Sequence, residues 1–200
     1  MATKKRAAKK PARKKPRPSP KKASPKRAKR PTPKRTTSTK KNEPSLVKAL
    51  RGHVFDVLVD ADASQKKHAK AVAAALRNFR EQLPEALLAA EGHVFLYYLD
   101  CKGSFAPGHP EHVEIARPAD VWNHVELGGE ATVGRRDADG KIYVSLECSC
   151  DWEQEHGLQI VLEEGLRVNK VGPFDGHPTN ADAYDDPRLQ GVVYRATGGR

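Results

Sequence analysis

Hydrophobic and polar positions along the second part of the chain change period once. "GHVFDVLVD", residues 52–60, is rich in Val, Leu and Phe and reads as a strand. Ser64 is placed to cap the helix that follows, in which Val72, Leu76, Phe79 and Leu83 recur at steps of four, three and four and so share one face. Pro84 suits the first turn of a second helix, where its missing N–H costs little. That helix carries Leu87, Leu88, Val94, Phe95 and Tyr98, with Gly92 as a weak point. "APGHPEH", residues 106–112, reads as a loop. Pro118 opens a short helix in which Val121, Trp122 and Val125 turn inward.

Beyond that point the period becomes two. In "KIYVSLECSC", Ile142, Val144, Leu146, Cys148 and Cys150 line one face, and Tyr143, Ser145, Glu147 and Ser149 line the other. The turn "DADG", residues 137–140, pairs this strand with residues 131–136, and "EEG", residues 163–165, joins "LQIVL" to "LRVNKV" in a second hairpin. "DGHPTNADAYDDP", residues 175–187, has no hydrophobic period and reads as a long ordered loop; Asp175, Asp182, Asp185 and Asp186 within it do not match the twelve-residue calcium loop. Helices first and strands afterwards predict an α+β fold, with helices packed on one face of an antiparallel β meander.

None of this periodicity reaches the N-terminus. Residues 1–42 hold 13 Lys, 6 Arg and 7 of the 15 prolines, with no acid, no aromatic residue and no Val, Leu or Ile. Such a segment has no apolar surface to offset the entropy of ordering, so a disordered basic tail over residues 1–43 precedes a single domain over 44–200. The whole chain has 36 basic and 25 acidic residues, so residues 43–200 keep 17 basic and 25 acidic, a net −8 against +19 in the tail. This asymmetry points to a polyanion-binding tail on an acidic body, or to an arm that folds back on the body until a polyanion competes. No run approaches the ~20 apolar residues that cross a bilayer, and the N-terminus lacks the apolar centre of a secretory signal. Three cysteines are too few and too oddly counted for a disulfide framework, which points to a reducing interior, cytoplasmic or nucleoid-associated.

The tail repeats Ser/Thr-Pro-Lys-Lys/Arg three times, over Ser19–Lys22, Ser24–Arg27 and Thr32–Arg35. Each unit couples a turn-favouring Ser/Thr-Pro step to paired cations, which neutralise phosphates and release condensed counterions. Ser19, Lys21, Lys22, Ser24, Lys26, Arg27, Thr32, Lys34 and Arg35 are therefore the candidate nucleic-acid contacts. With no aromatic or base-reading side chain between the charges, the binding is expected to be indifferent to sequence. These units resemble linker-histone tails and the histone-like tails of some bacterial proteins, and the resemblance implies DNA as the polyanion.

In the body, "CSCDWEQEHGL", residues 148–158, gathers two Cys, three acids, a Trp and a His between two strands. Together with Tyr97–Tyr98, Trp122 and Val171–Gly172, its Cys150, Trp152, Glu153, Glu155, His156, Gly157 and Leu158 resemble a bacterial domain family of unknown function, some members of which are similar to immunity proteins of toxin systems. The resemblance implies no catalytic residue.

Three readings compete for the stretch. Cys148, Cys150, His156 and His177 could ligate zinc, although Cys-x-Cys on one strand is not the usual spacing. Glu153 or Glu155 with His156, or Cys150 with His156, could serve as an acid/base or nucleophile pair in a small hydrolase. The third reading is structural and binding: Trp152 packs at the sheet edge, His156 and Gly157 shape a turn, and Glu153 and Glu155 offer negative charge to a basic protein partner, such as a nuclease toxin. The sequence reading settles on the third: a non-enzymatic interaction domain without cofactor, metal or membrane, tethered to nucleic acid by its tail, with Trp152, Glu153, Glu155 and His156 as the partner-binding motif.

Overall fold

A computed structural model describes residues 44–196. The candidate nucleic-acid contacts between Ser19 and Arg35 lie outside the described residues. A mixed α+β fold is observed: one long helix against a five-stranded sheet. In chain order the elements are α1 (Ser45–Leu50), β1 (Asp56–Val59), α2 (Ala69–Lys102), β2 (Val125–Arg135), β3 (Ile142–Cys150), β4 (Glu153–Glu163), β5 (Arg167–Gly172) and α3 (Asn180–Ala183). No helix among the described residues is long and apolar enough to cross a membrane.

The sheet order is β1-β2-β3-β4-β5, and the last four strands form the expected antiparallel meander. The hairpin at Glu164–Gly165 has both central residues at positive φ, 53° and 67°, the geometry that matches strand twist. Gly165 is also required sterically, because a Cβ there would collide with the Ala75 carbonyl of α2.

Several local expectations are corrected. The first strand is shorter than residues 52–60 and pairs in parallel with β2, Asp56 opposite Glu130 and Val59 opposite Val133, so the sheet is not wholly antiparallel. The long α2 supplies the crossover that a parallel pair needs.

Pro84 does not begin a second helix but lies inside α2, which runs unbroken for 34 residues. Pro84 faces solvent while Leu83, Ala86 and Leu87 beside it are buried, so packing on the sheet outweighs the lost hydrogen bond. Ser64 does not cap this helix either: its Oγ donates to the Ala61 carbonyl, and a 3-10 turn over Lys66–His68 leads in.

Val125 opens β2 rather than closing the short helix Pro118–Asn123, and β2 starts six residues earlier than expected because a bulge between Leu127 and Ala131 absorbs Gly128 and Gly129. Finally, residues 175–187 contain α3, capped by the Thr179 side chain, and lead into a 3-10 turn at Pro187–Leu189. Polar contacts hold this segment, which is why it shows no hydrophobic period.

The core lies between α2 and one sheet face. Phe79, Leu87, Val94 and Tyr98 of α2 meet Val133, Val144, Leu146, Leu158, Ile160 and Leu162, all nearly or fully buried. Cys148 and Cys150 share that inner face with Ile142, Val144 and Leu146, as their alternation predicts.

Candidate functional site

The motif stretch forms the corner where β3 turns into β4. Trp152 is fully buried there rather than lying at the sheet edge, set edge-on against Tyr97 and Tyr98 with ring centroids 6.2 and 5.9 Å away. Its indole Nε1 has no hydrogen-bond partner among the described residues. Tyr97 donates to the Gly157 carbonyl (3.0 Å) and lies 3.4 Å from Glu153 Oε2. Tyr98 donates to the Val113 carbonyl (3.1 Å) and accepts from the Ile115 N–H (3.0 Å), fixing the loop after α2. Trp122 Nε1 donates to Glu91 Oε2 at 3.1 Å. Gly157 sits at φ +68° with its Cα against β3, where a Cβ would lie 2.5 Å from the Cys148 carbonyl oxygen. The aromatic and glycine positions of the motif thus assemble one packed corner.

Its polar positions divide. Glu153, half-buried, accepts from the His156 N–H at 2.8 Å and faces His156 Nδ1 at 3.3 Å. Glu155 and His156 are exposed. One ligand atom from each of Glu153, Glu155 and His156 falls within 4.8 Å of the others, so these three, and not the cysteines, are the side chains here that could hold a cation.

The alternative zinc set of Cys148, Cys150, His156 and His177 is not assembled. The cysteines face α2, whereas His177 lies over the opposite sheet face with its Nδ1 3.4 Å from Asp175. A Cys150–His156 nucleophile pair is not formed either. The Cys150 thiol donates to the Glu153 carbonyl (3.3 Å), and burial raises its pKa, while burial pushes Cys148 up to about 12 and Cys101 up to about 11. Thiols held protonated in this way are poor nucleophiles near neutral pH.

The opposite sheet face carries what the sequence reading missed. Strand register places Leu58, Thr132, Ser145, Val161 and Lys170 in one row across it. Lys170 is 1% exposed; it donates to Gln159 Oε1 (3.1 Å) and the His177 carbonyl (3.2 Å) and pairs with Asp175. Burial pulls the Lys170 ammonium below its ordinary pKa, against the Asp175 carboxylate, which favours the charged form. Gln159 in turn donates to Ser145 Oγ (2.9 Å). Arg136 makes two bonds to Asp182, 2.7 and 2.8 Å, and one to Asp139. These contacts fasten residues 175–182 over half of the face and leave a cavity of about 170 Å³ lined by Tyr143, Ser145, Gln159 and His177. The alternation marked Tyr143 and Ser145 as outward-facing, but nothing in it showed that a later segment returns to cover them.

No described residue covers the other half of that face. Asp56, Glu126, Glu130 and Glu147 point outward from β1, β2 and β3, all exposed, and none has an ion-pair partner among the described residues. Asp56 and Glu130 are direct cross-strand neighbours, a like-charge pairing that works against the sheet.

The profile of DUF6985, a domain of unknown function, matches residues 33–178, which span the sheet, α2 and the whole motif corner. The chain belongs to the DUF6985 family. No curated protein and no solved structure matches it. The DUF6985 match begins inside the third Thr-Pro-Lys-Arg unit, so most of the basic tail lies before it.

Proposed function

We propose that this DUF6985 protein is a non-enzymatic interaction protein: its tail holds it on nucleic acid, DNA in the first instance, and its body docks a basic protein partner. The observation that carries the reading is this half of the sheet, where Asp56, Glu126, Glu130 and Glu147 are exposed and have no ion-pair partner among the described residues, in a body of net −8. Unpaired acids on a flat face weaken the fold through repulsion and speed the encounter with a cationic surface. Glu155 and His156 extend the acidic surface at the motif corner, and Trp152 supports it from within. A basic nuclease held off its substrate by such a face is the partner that the likeness to immunity proteins implies.

The two halves are tested separately in the full chain. Replacing Lys21, Lys22, Lys26, Arg27, Lys34 and Arg35 by Gln should lower DNA affinity and flatten its salt dependence by ~5 contacts. Replacing Glu130 and Glu147 by Lys should leave DNA binding intact and weaken the uptake of a lysine-rich peptide by ~10-fold or more. Unchanged DNA affinity in the first variant refutes the tether, and unchanged peptide binding in the second refutes the docking face.

A further inference from the structure

The outward side of α2 has no role in anything described above. From residue 86 to 99 the helix reads ALLAAEGHVFLYYL, with Glu91, His93 and the inward hydroxyls of Tyr97 and Tyr98 as its only polar groups beyond the backbone. The inward set, including Leu87, Ala90, Val94 and Tyr98, is fully buried against the sheet. On the opposite side, Leu88, Leu96 and Leu99 are 60%, 48% and 45% exposed, spaced around Gly92 at helical steps. A helix segment that is apolar on both sides is one covered on both sides.

Gly92 sharpens the point. Glycine within a helix costs roughly 1 kcal/mol relative to alanine. Among the described residues beyond its own helical turn, a Cβ at Gly92 would meet no atom within 4 Å, so their packing does not ask for glycine. What glycine allows there is close approach from outside, since the distance between packed helices is set by the side chains at the crossing.

We propose that this face is the contact between two copies of the chain, their α2 helices antiparallel and crossing at Gly92. In that arrangement each residue faces its mirror position about 92, so Leu96 of one copy meets Leu88 of the other, and the contact is self-complementary. The charges agree with it. Exposed Glu81 and Glu85 lie toward one end of the stripe and Lys102 toward the other, where Asp100 is engaged by the Tyr194 hydroxyl, so antiparallel copies bring Glu85 toward Lys102 at both ends, whereas parallel copies set Glu85 against Glu85. Lys102 also pairs with Glu114 of its own chain and remains a third exposed. The acids beside the stripe argue against a membrane surface, whose anionic headgroups would repel them.

The experiment is sedimentation velocity on the full-length protein without nucleic acid. Wild type should sediment as a dimer of the 22.0 kDa chain. Leu96→Glu should raise the dissociation constant at least ~10-fold with an unchanged far-UV spectrum. Glu85→Lys should weaken the dimer, and adding Lys102→Glu should restore it. Gly92→Ala should raise the melting temperature of the monomer while weakening the dimer, a split that a purely structural effect does not produce. A wild-type monomer up to ~100 μM, or a dimer indifferent to Leu96→Glu, overturns the proposal. Either result leaves the tether and the acidic face untouched, since neither uses α2.

Discussion

The hydroxyl of Tyr97 donates to the carbonyl oxygen of Gly157, 60 residues further along the chain, at 3.0 Å. This bond ties the long helix to the corner where β3 becomes β4, next to a buried tryptophan. Tyr97→Phe should therefore cost about 1 kcal/mol, which lowers the melting temperature by roughly 2–4 °C. Trp152→Ala, which empties the same corner, should cost about 3–5 kcal/mol. Thermal denaturation of both variants checks the ranking, and a Trp152→Ala protein as stable as Tyr97→Phe would contradict the assignment of Trp152 to the core.

Gly157→Ala should be far more damaging than an exposed Gly→Ala change. It puts a side chain at φ +68° and 2.5 Å from the Cys148 carbonyl oxygen, so β4 must move away from β3. Urea denaturation should show a loss of at least ~2 kcal/mol. Gly92→Ala, into open space, serves as the control and should not destabilise the monomer.

The thiols set an alkaline limit. Cys148 and Cys150 have their pKa raised by burial above the ordinary value of 9.0, Cys148 to about 12. Above pH ~9 the unfolded chain releases these protons and the folded chain keeps them, so stability falls as pH rises, by about 1.4 kcal/mol per pH unit for each group. Lys170 works in the opposite sense: its lowered pKa means the folded state gives up that proton first, so its part of the stability rises toward pH 10.5. The thiols, with Cys101 also raised by burial to about 11, outnumber it. Chemical denaturation between pH 8 and 10.5 should show a falling midpoint, and Cys148→Ala should flatten the fall. A thiol-specific reagent should label Cys148 and Cys150 only under denaturing conditions.

Lys170→Met keeps the side-chain bulk but strips Gln159 Oε1, the His177 carbonyl and Asp175 of a donor. The expected loss is about 1–3 kcal/mol. Hydrogen exchange should localise it, with faster exchange over residues 173–182 and unchanged protection in the middle of β3 and β4. Uniform loss of protection would show that Lys170 supports the whole sheet and not only the segment fastened above it.

What the sequence disclosed follows from how each element is stabilised. The inner face of β3 and the hairpins at residues 137–140 and 163–165 were legible because alternation and glycine-bearing turns have local causes. The continuous α2 was not, because the decision at Pro84 is made by Leu83, Ala86 and Leu87 against the sheet. The same holds at the site. Glu153, Glu155 and His156 were found together because they are neighbours in the chain. Lys170, Asp175 and Arg136 meet partners across strands and turns, and single polar residues in a strand pattern look like solvent positions until the covering segment is placed. The exposed acids of β1 to β3 fall between these cases: Glu147 is visible as an outward position, but Glu126 and Glu130 precede the strand expected at 131–136, and only the parallel docking of β1 brings Asp56 beside Glu130.

That docking also shapes how the chain reaches its native state. Every other strand pair is a hairpin closed by a short turn, while β1 meets β2 across roughly 70 intervening residues. Closing so long a loop for a four-residue pairing is entropically late, so the meander and α2 form the nucleus and β1 joins afterwards. The edge that carries Asp56 is then the last part of the sheet to assemble and the first to open, and its amides should exchange at a lower free energy than the rest of the core.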